Sequence, residues 1–265
     1  MDEEKYWYDT DTSQDESIKR LLAISIGDFQ NEWLQSLPSA VIDRERVVRT
    51  FSKLNFRPTQ ERLSMLTKAD GRKLILKFRE KFKDGIETKC LVIYLKSHGG
   101  LHPHKGTMIY FSDEAMPLWD LLEPLLQLPQ LQGVPKMVIY EACRGENAQY
   151  ITAGVATPTT PVAYVHRRID TILFAASPEA EMAVAGYENE VCSPFTDALC
   201  KTLLENKSQD VFDLGIKVTN DLRKANLPVR EADGTIHAWA LAPVMESCLT
   251  KHLRLMHPNE EAKYG

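Results

Sequence analysis

Two residues in this sequence have types and positions suited to chemistry. Cys143 ends the stretch "KMVIYEAC", directly after a short apolar run, and His98 ends "CLVIYLKSH" in the same manner. A cysteine is an effective nucleophile as its thiolate, and an imidazole nearby can take that proton and later return it to a leaving amine. Gly99 and Gly100 leave the backbone beside His98 unhindered, so an amide N–H there can point at a developing oxyanion. Arg144, next to the thiol, favours the thiolate if its side chain turns that way. Each residue also has a plainer reading. Cysteine thiols are among the most buried groups in proteins, and a histidine after a strand is more often structural than catalytic.

The elements that must position this pair follow from the apolar patterning. "RLLAISIGDF", "CLVIYL", "KMVIYEA" and "DTILFAAS" are apolar on consecutive positions, as strands covered on both faces are. Val41, Val47, Val48, Phe51 and Leu54 recur at helical spacing among Asp43, Arg44, Glu45, Arg46 and Arg49. A second helix is predicted to open at Asp70 as N-cap and to bury Leu74, Ile75, Phe78 and Phe82. "GTMIYFSDE" predicts part of a hairpin, and "PLWDLLEPLLQL" a helix with Pro117 in its first turn. "SPFTDALCKTLLE" and "VFDLGIKVTNDLRKA" read as amphipathic helices, and "AWALAPVMESCL" as a last strand. Strands alternating with helices predict an α/β fold, a mostly parallel central sheet with helices on both faces. In such sheets reactive groups gather beyond the carboxyl ends of the strands, where His98 and Cys143 fall.

Composition narrows the functional classes. The 265 residues are 43% hydrophobic and carry a net charge of −5, which gives no general reason to expect nucleic acid or an anionic membrane as partner. No apolar run approaches the ~20 residues that span a bilayer. The five cysteines are widely spaced and lack a C-x-x-C, so neither a disulfide framework nor a zinc site is indicated. No metal and no organic cofactor is expected, and the reading is of a cytoplasmic protein in a reducing setting. "HPHK" (His102, His104, Lys105) offers two imidazoles without a third ligand and reads as a solvated loop. Residues 1–17 hold seven acids and one Lys, which favours a solvated tail, although Tyr6, Trp7 and Tyr8 are unusual for one and leave packing on the body or a partner contact as alternatives.

The pair fits a more specific pattern. "EACRG" with "SHGG" 45 residues upstream resembles the caspase signature, whose His precedes its Cys by about 50 residues. "RLLAISIGDF" resembles the first caspase strand, "DRERVVRTFSKLNF" the first helix, and "CLVIYLKSHGG" the strand carrying the base. "DTILFAASPEAEM", "SPFTDALCKTLLE" and "ESCLTKHLRL" are similar to the small-subunit strand, helix and terminal dimer strand. The resemblance implies a caspase-like three-layer sandwich over residues 18–257, between a short acidic tail (1–17) and a C-terminal tail (258–265). Within it, 18–147 would be large-subunit-like, 148–166 an intersubunit-type linker and 167–257 small-subunit-like. It implies Cys143 as nucleophile, His98 as base and acid, and the amides of Gly99 and Cys143 as oxyanion donors. It also implies a homodimer, or a heterodimer with a related caspase, through the C-terminal strand near Leu249.

The chain departs from that family where substrate is selected. Caspases hold a P1 Asp with two Arg and the Gln two residues before the Cys; here Glu141 stands for the Gln, and the first Arg aligns near Leu37. After the small-subunit strand, beyond Ser177, the loop has Glu179, Glu181, Glu188 and Glu190 and no Arg or Lys. Glu141 and Ser177 are therefore the candidate substrate-binding residues, and Asp at P1 is not expected. A basic P1 residue facing Glu141 is the alternative, as in the similar metacaspases and paracaspases. The linker region contains no Asp for self-cleavage before Asp170. Two functions fit: a cysteine endopeptidase acting on a protein or peptide substrate, or a decoy that dimerises with an active caspase.

Overall fold

The computed structural model describes residues 3–13, 16–59, 65–143, 168–177, 192–225, 227–230, 236–239 and 241–264. In chain order these form β1 (Ile18–Ser25), α1 (Ser39–Lys53), β2 (Phe56–Thr59), α2 (Lys68–Glu80), β3 (Thr88–Lys96), β4 (Gly99–His102), β5 (Gly106–Tyr110), β6 (Ala115–Pro117), α3 (Leu118–Leu126) and β7 (Lys136–Glu141). There follow β8 (Thr171–Ala175), α4 (Pro194–Glu205), α5 (Val211–Lys224), β9 (Leu227–Arg230), β10 (Ile236–Trp239), β11 (Val244–Ser247) and α6 (Pro258–Tyr264). The predicted 148–166 linker, Arg144 and the four glutamates from Glu179 to Glu190 lie outside the described residues.

The central sheet has six strands in the order β11-β8-β7-β3-β1-β2. All pairs are parallel except β11 with β8. Alternate residues feed two separate cores, which is why the strands read as unbroken apolar runs. Ala23, Val92, Tyr94, Ile139 and Phe174 face α1, α4 and α5 with Phe51, Leu199 and Val218. Leu22, Ile93, Leu95, Val138 and Leu173 face α2 and α3 with Ile75, Phe78 and Leu122. The result is the expected three-layer α/β sandwich.

Several local details differ from the sequence expectation. The cap of α2 is Thr67, whose hydroxyl accepts from the Asp70 amide at 3.2 Å. The Thr67 hydroxyl also donates to the Asp70 carboxylate at 2.6 Å, so Asp70 holds the capping side chain from inside the first turn. Pro117 likewise sits one residue outside α3, at its N-cap. "AWALAPVMESCL" is divided between β10, paired with β9, and the sheet-edge strand β11.

The acidic N-terminal segment, against the solvated-tail expectation, docks on the body through Trp7 and Tyr8. Tyr8 is 4% exposed, and its hydroxyl donates to Asp170 at 2.6 Å and accepts from the Thr250 amide at 2.9 Å. Trp7 stacks on His252 and lies beneath the Arg254 guanidinium. At the other terminus α6 tucks Glu260 against Lys19, both fully buried, with Nζ 2.5 Å from Oε2.

Candidate functional site

The register of two neighbouring strands determines the site. β3 and β7 run parallel, and their last paired residues are Lys96 and Glu141. His98 and Cys143 each follow two residues later. Both lie beyond the strands themselves, which end at Lys96 and Glu141. The Ser97 amide donating to the Glu141 carbonyl at 3.3 Å extends the register one step further.

Gly99 brings the two chain ends into contact. A Cβ at this position would stand 2.1 Å from Tyr140 Oη, 2.5 Å from the Cys143 carbonyl oxygen and 2.8 Å from Ala142 Cβ. Any side chain would push the His98 segment away from the Cys143 segment. The Tyr110 amide, donating to the His98 carbonyl at 3.0 Å, ties the same segment to β5.

The imidazole of His98 is held on two sides. Its Nε2 lies 2.7 Å from the Gln35 carbonyl oxygen, and its ring packs 4.8 Å from the Phe29 ring. A carbonyl only accepts, so Nε2 carries the proton and Nδ1 is left with the lone pair of a base. Burial lowers the His98 pKa from its ordinary value, opposed by the Gln35 carbonyl, so the neutral base prevails near pH 7. Cys143 is a partly exposed, reduced thiol. Cys90 and Cys200, by contrast, are buried, and burial pushes both thiols up to about 12, which makes them inert.

Glu141 faces inward. Its side chain is 3% exposed and accepts from Lys96 Nζ at 2.9 Å, Tyr94 Oη at 2.7 Å, and the hydroxyls of Ser193 and Thr196. Lys96 also pairs with Asp43 of α1, which accepts from the Ser193 amide at 2.7 Å. Burial alone would raise the pKa of Glu141, but the Lys96 ammonium and the hydroxyl donors hold it below its ordinary value. Asp43 moves the other way, raised by burial and by the charge of Glu141. Lys96 is raised despite its burial, because two carboxylates face it. The cluster is thus an ionised Lys96–Glu141 pair with Asp43 as the more readily protonated member.

His98, Gly99, Cys143, Glu141 and Ser177 therefore gather at the carboxyl ends of β3, β7 and β8. Ser177 is buried and donates to the Ala142 carbonyl at 3.3 Å, so it supports the chain beside Cys143. Leu37 donates its amide to the Gly27 carbonyl at 2.8 Å and offers no charge. Sequence reasoning missed Gln35, Phe29, Lys96, Asp43, Ser193 and Thr196. Lys96 had a visible signal, a cation ending a strand otherwise buried on both faces. Gln35 acts through a backbone carbonyl, which any residue supplies.

Comparison with known proteins bears on the family and the fold. Residues 18–253 match the family described as Caspase domain. This chain belongs to the caspase family. The caspase fold is matched by the crystal structure of caspase-1 from Spodoptera frugiperda, with a TM-score of 0.76 at 19% identity, over 97% of this chain and 96% of that one. No curated protein matches the chain in sequence. Among the described residues no helix is long and apolar enough to cross a membrane, and no group of three or more His, Cys, Asp and Glu could hold a metal ion.

Proposed function

We propose that this caspase-family chain is a cysteine endopeptidase acting on protein substrates, with Cys143 as nucleophile and His98 as base and acid. The supporting observation is the placement of both residues two positions beyond the Lys96–Glu141 register pair, in contact through Gly99. His98 Nδ1 takes the Cys143 proton, and the sulfur adds to the scissile carbonyl. The amides of Gly99 and Cys143 are the proposed donors to the oxyanion. As the C–N bond breaks, His98 returns the proton to the leaving amine, and a thioester joins substrate to Cys143. Water, giving a proton to His98, then hydrolyses the thioester and restores the thiol.

The P1 residue is proposed to be uncharged or basic, not Asp. A substrate carboxylate would enter beside two carboxyl groups and a single cation already engaged by both. A basic side chain would have to compete with Lys96 for Glu141. That same engagement favours a second reading, a dimerising decoy of an active caspase, with the edge strand β11 as its contact. The test is a fluorogenic peptide panel varied at P1, run on wild type and Cys143→Ala. Cys143-dependent cleavage after basic or uncharged residues supports the protease; cleavage after Asp alone overturns the P1 reading, and no cleavage supports the decoy.

A further inference from the structure

The loop that anchors His98 carries two features the dyad does not use. Residues 27–38, "GDFQNEWLQSLP", contain Asp28 and Glu32 and no Lys or Arg. Trp33 in this loop is 80% exposed, and its amide donates to Asn31 Oδ1 at 3.0 Å within a tight turn. Asn31 and Leu34 line a cavity of about 320 Å³ together with Gly100 and Leu101 of β4 and with Asp113 and Glu114. That volume lies within the ~300–1,000 Å³ typical of ligand sites.

Its position relative to the chemistry gives the cavity a direction. The His98–Gly99 segment has the Cys143 backbone on one side. The cavity is lined by Gly100, next to Gly99, and by Leu34, the residue before Gln35, whose carbonyl holds the imidazole. For a substrate whose carbonyl meets Cys143 and whose leaving amine meets His98, the side of His98 away from Cys143 is that of Gly100 and Leu34, with Trp33 next to Leu34 in the chain.

The charge around this path is acidic. Asp113 and Glu114 line the cavity, Glu114 paired with Lys68, while Asp28 and Glu32 belong to the 27–38 loop and Lys105 to the β4–β5 turn. A cavity lined by Leu34, Leu101, Met108 and Phe111 together with Asp113 and Glu114 fits a side chain with an aliphatic stem and a cationic head. An exposed indole adds a face on which such a head can rest.

We propose that the cavity and Trp33 bind the leaving side of the substrate and select a Lys or Arg among the first residues after the scissile bond. This rests on the proteolytic reading above and adds specificity to it. The test uses full-length Cys143→Ala protein and fluorescent peptides identical on the acyl side, carrying Arg, Leu or Glu at the first three leaving-side positions. The Arg peptides are expected to bind about 5–20-fold tighter than the Glu peptides. That ratio falls toward one in Trp33→Ala and in Glu114→Gln on the same background. Equal affinity, tightest binding by Leu, or no binding of any peptide overturns the proposal. Turnover of the same peptides by wild type is read separately, so loss of the proteolytic reading is distinguishable from loss of this subsite.

Discussion

Lys96 and Glu141 form a buried ion pair across β3 and β7, Nζ to Oε1 2.9 Å, two residues before His98 and Cys143 in their respective segments. The charge two residues before each reactive side chain is thus neutralised inside the protein. The pair, with Asp43, fixes α1 and α4 beneath the two strand ends that present the dyad.

Removing one member of a buried pair leaves the other charge without compensation, which destabilises by about 3–5 kcal/mol. Lys96→Met is expected to lower the unfolding free energy by that order in chemical denaturation. Lys96→Met/Glu141→Gln recovers much of the loss, because Asp43, already raised in pKa, takes up a proton. A double variant no more stable than the single one contradicts the pairing.

The pair also sets a pH dependence. The folded pKa of Glu141 lies below its ordinary 4.5, so its stabilisation is present above about pH 4.5 and is lost as pH falls through the folded value. Glu141→Gln is expected to flatten the acid limb of the melting temperature against pH. An unchanged limb in that variant contradicts the assignment.

Gly99→Ala introduces a methyl where Tyr140 Oη, the Cys143 carbonyl and Ala142 Cβ stand within 2.8 Å. Overpacking of this kind destabilises by about 1–3 kcal/mol. The larger consequence is separation of His98 from Cys143, expected to reduce peptide turnover about 100-fold at temperatures where the variant remains folded. Turnover within a few-fold of wild type contradicts the role given to this contact.

The fold was largely legible in the sequence because both-face-buried strands leave unbroken apolar runs, as in "CLVIYL" and "KMVIYE". The reactive residues were legible because each ends such a run. What escaped was set by tertiary contact. Glu141 carries the same letter whether it faces a substrate or the interior, and only Lys96, Ser193 and Thr196, distant in sequence, decide between them. The docking of Tyr8 on Asp170 and Thr250 likewise joins residues more than 160 positions apart, against a composition that favours solvation.

The Tyr8 hydroxyl therefore has a measurable effect. Tyr8→Phe removes a donor from the buried Asp170 carboxylate and is expected to lower the unfolding free energy by about 1–3 kcal/mol. A change below a few tenths of a kcal/mol in thermal unfolding contradicts the docking.

The imidazole should titrate below its ordinary 6.5, since burial disfavours the charged form. The acid limb of kcat/KM is expected below pH 6.5, and Phe29→Ala, which uncovers the ring, moves it upward. A limb unmoved by that change contradicts the described environment.

The most direct test is covalent labelling with a peptide acyloxymethyl ketone bearing a basic or uncharged P1 residue, read by mass spectrometry of the intact protein. One adduct on Cys143 is expected, absent in Cys143→Ala and slowed at least ~100-fold in His98→Ala. Labelling that survives in Cys143→Ala, or proceeds equally without His98, contradicts it.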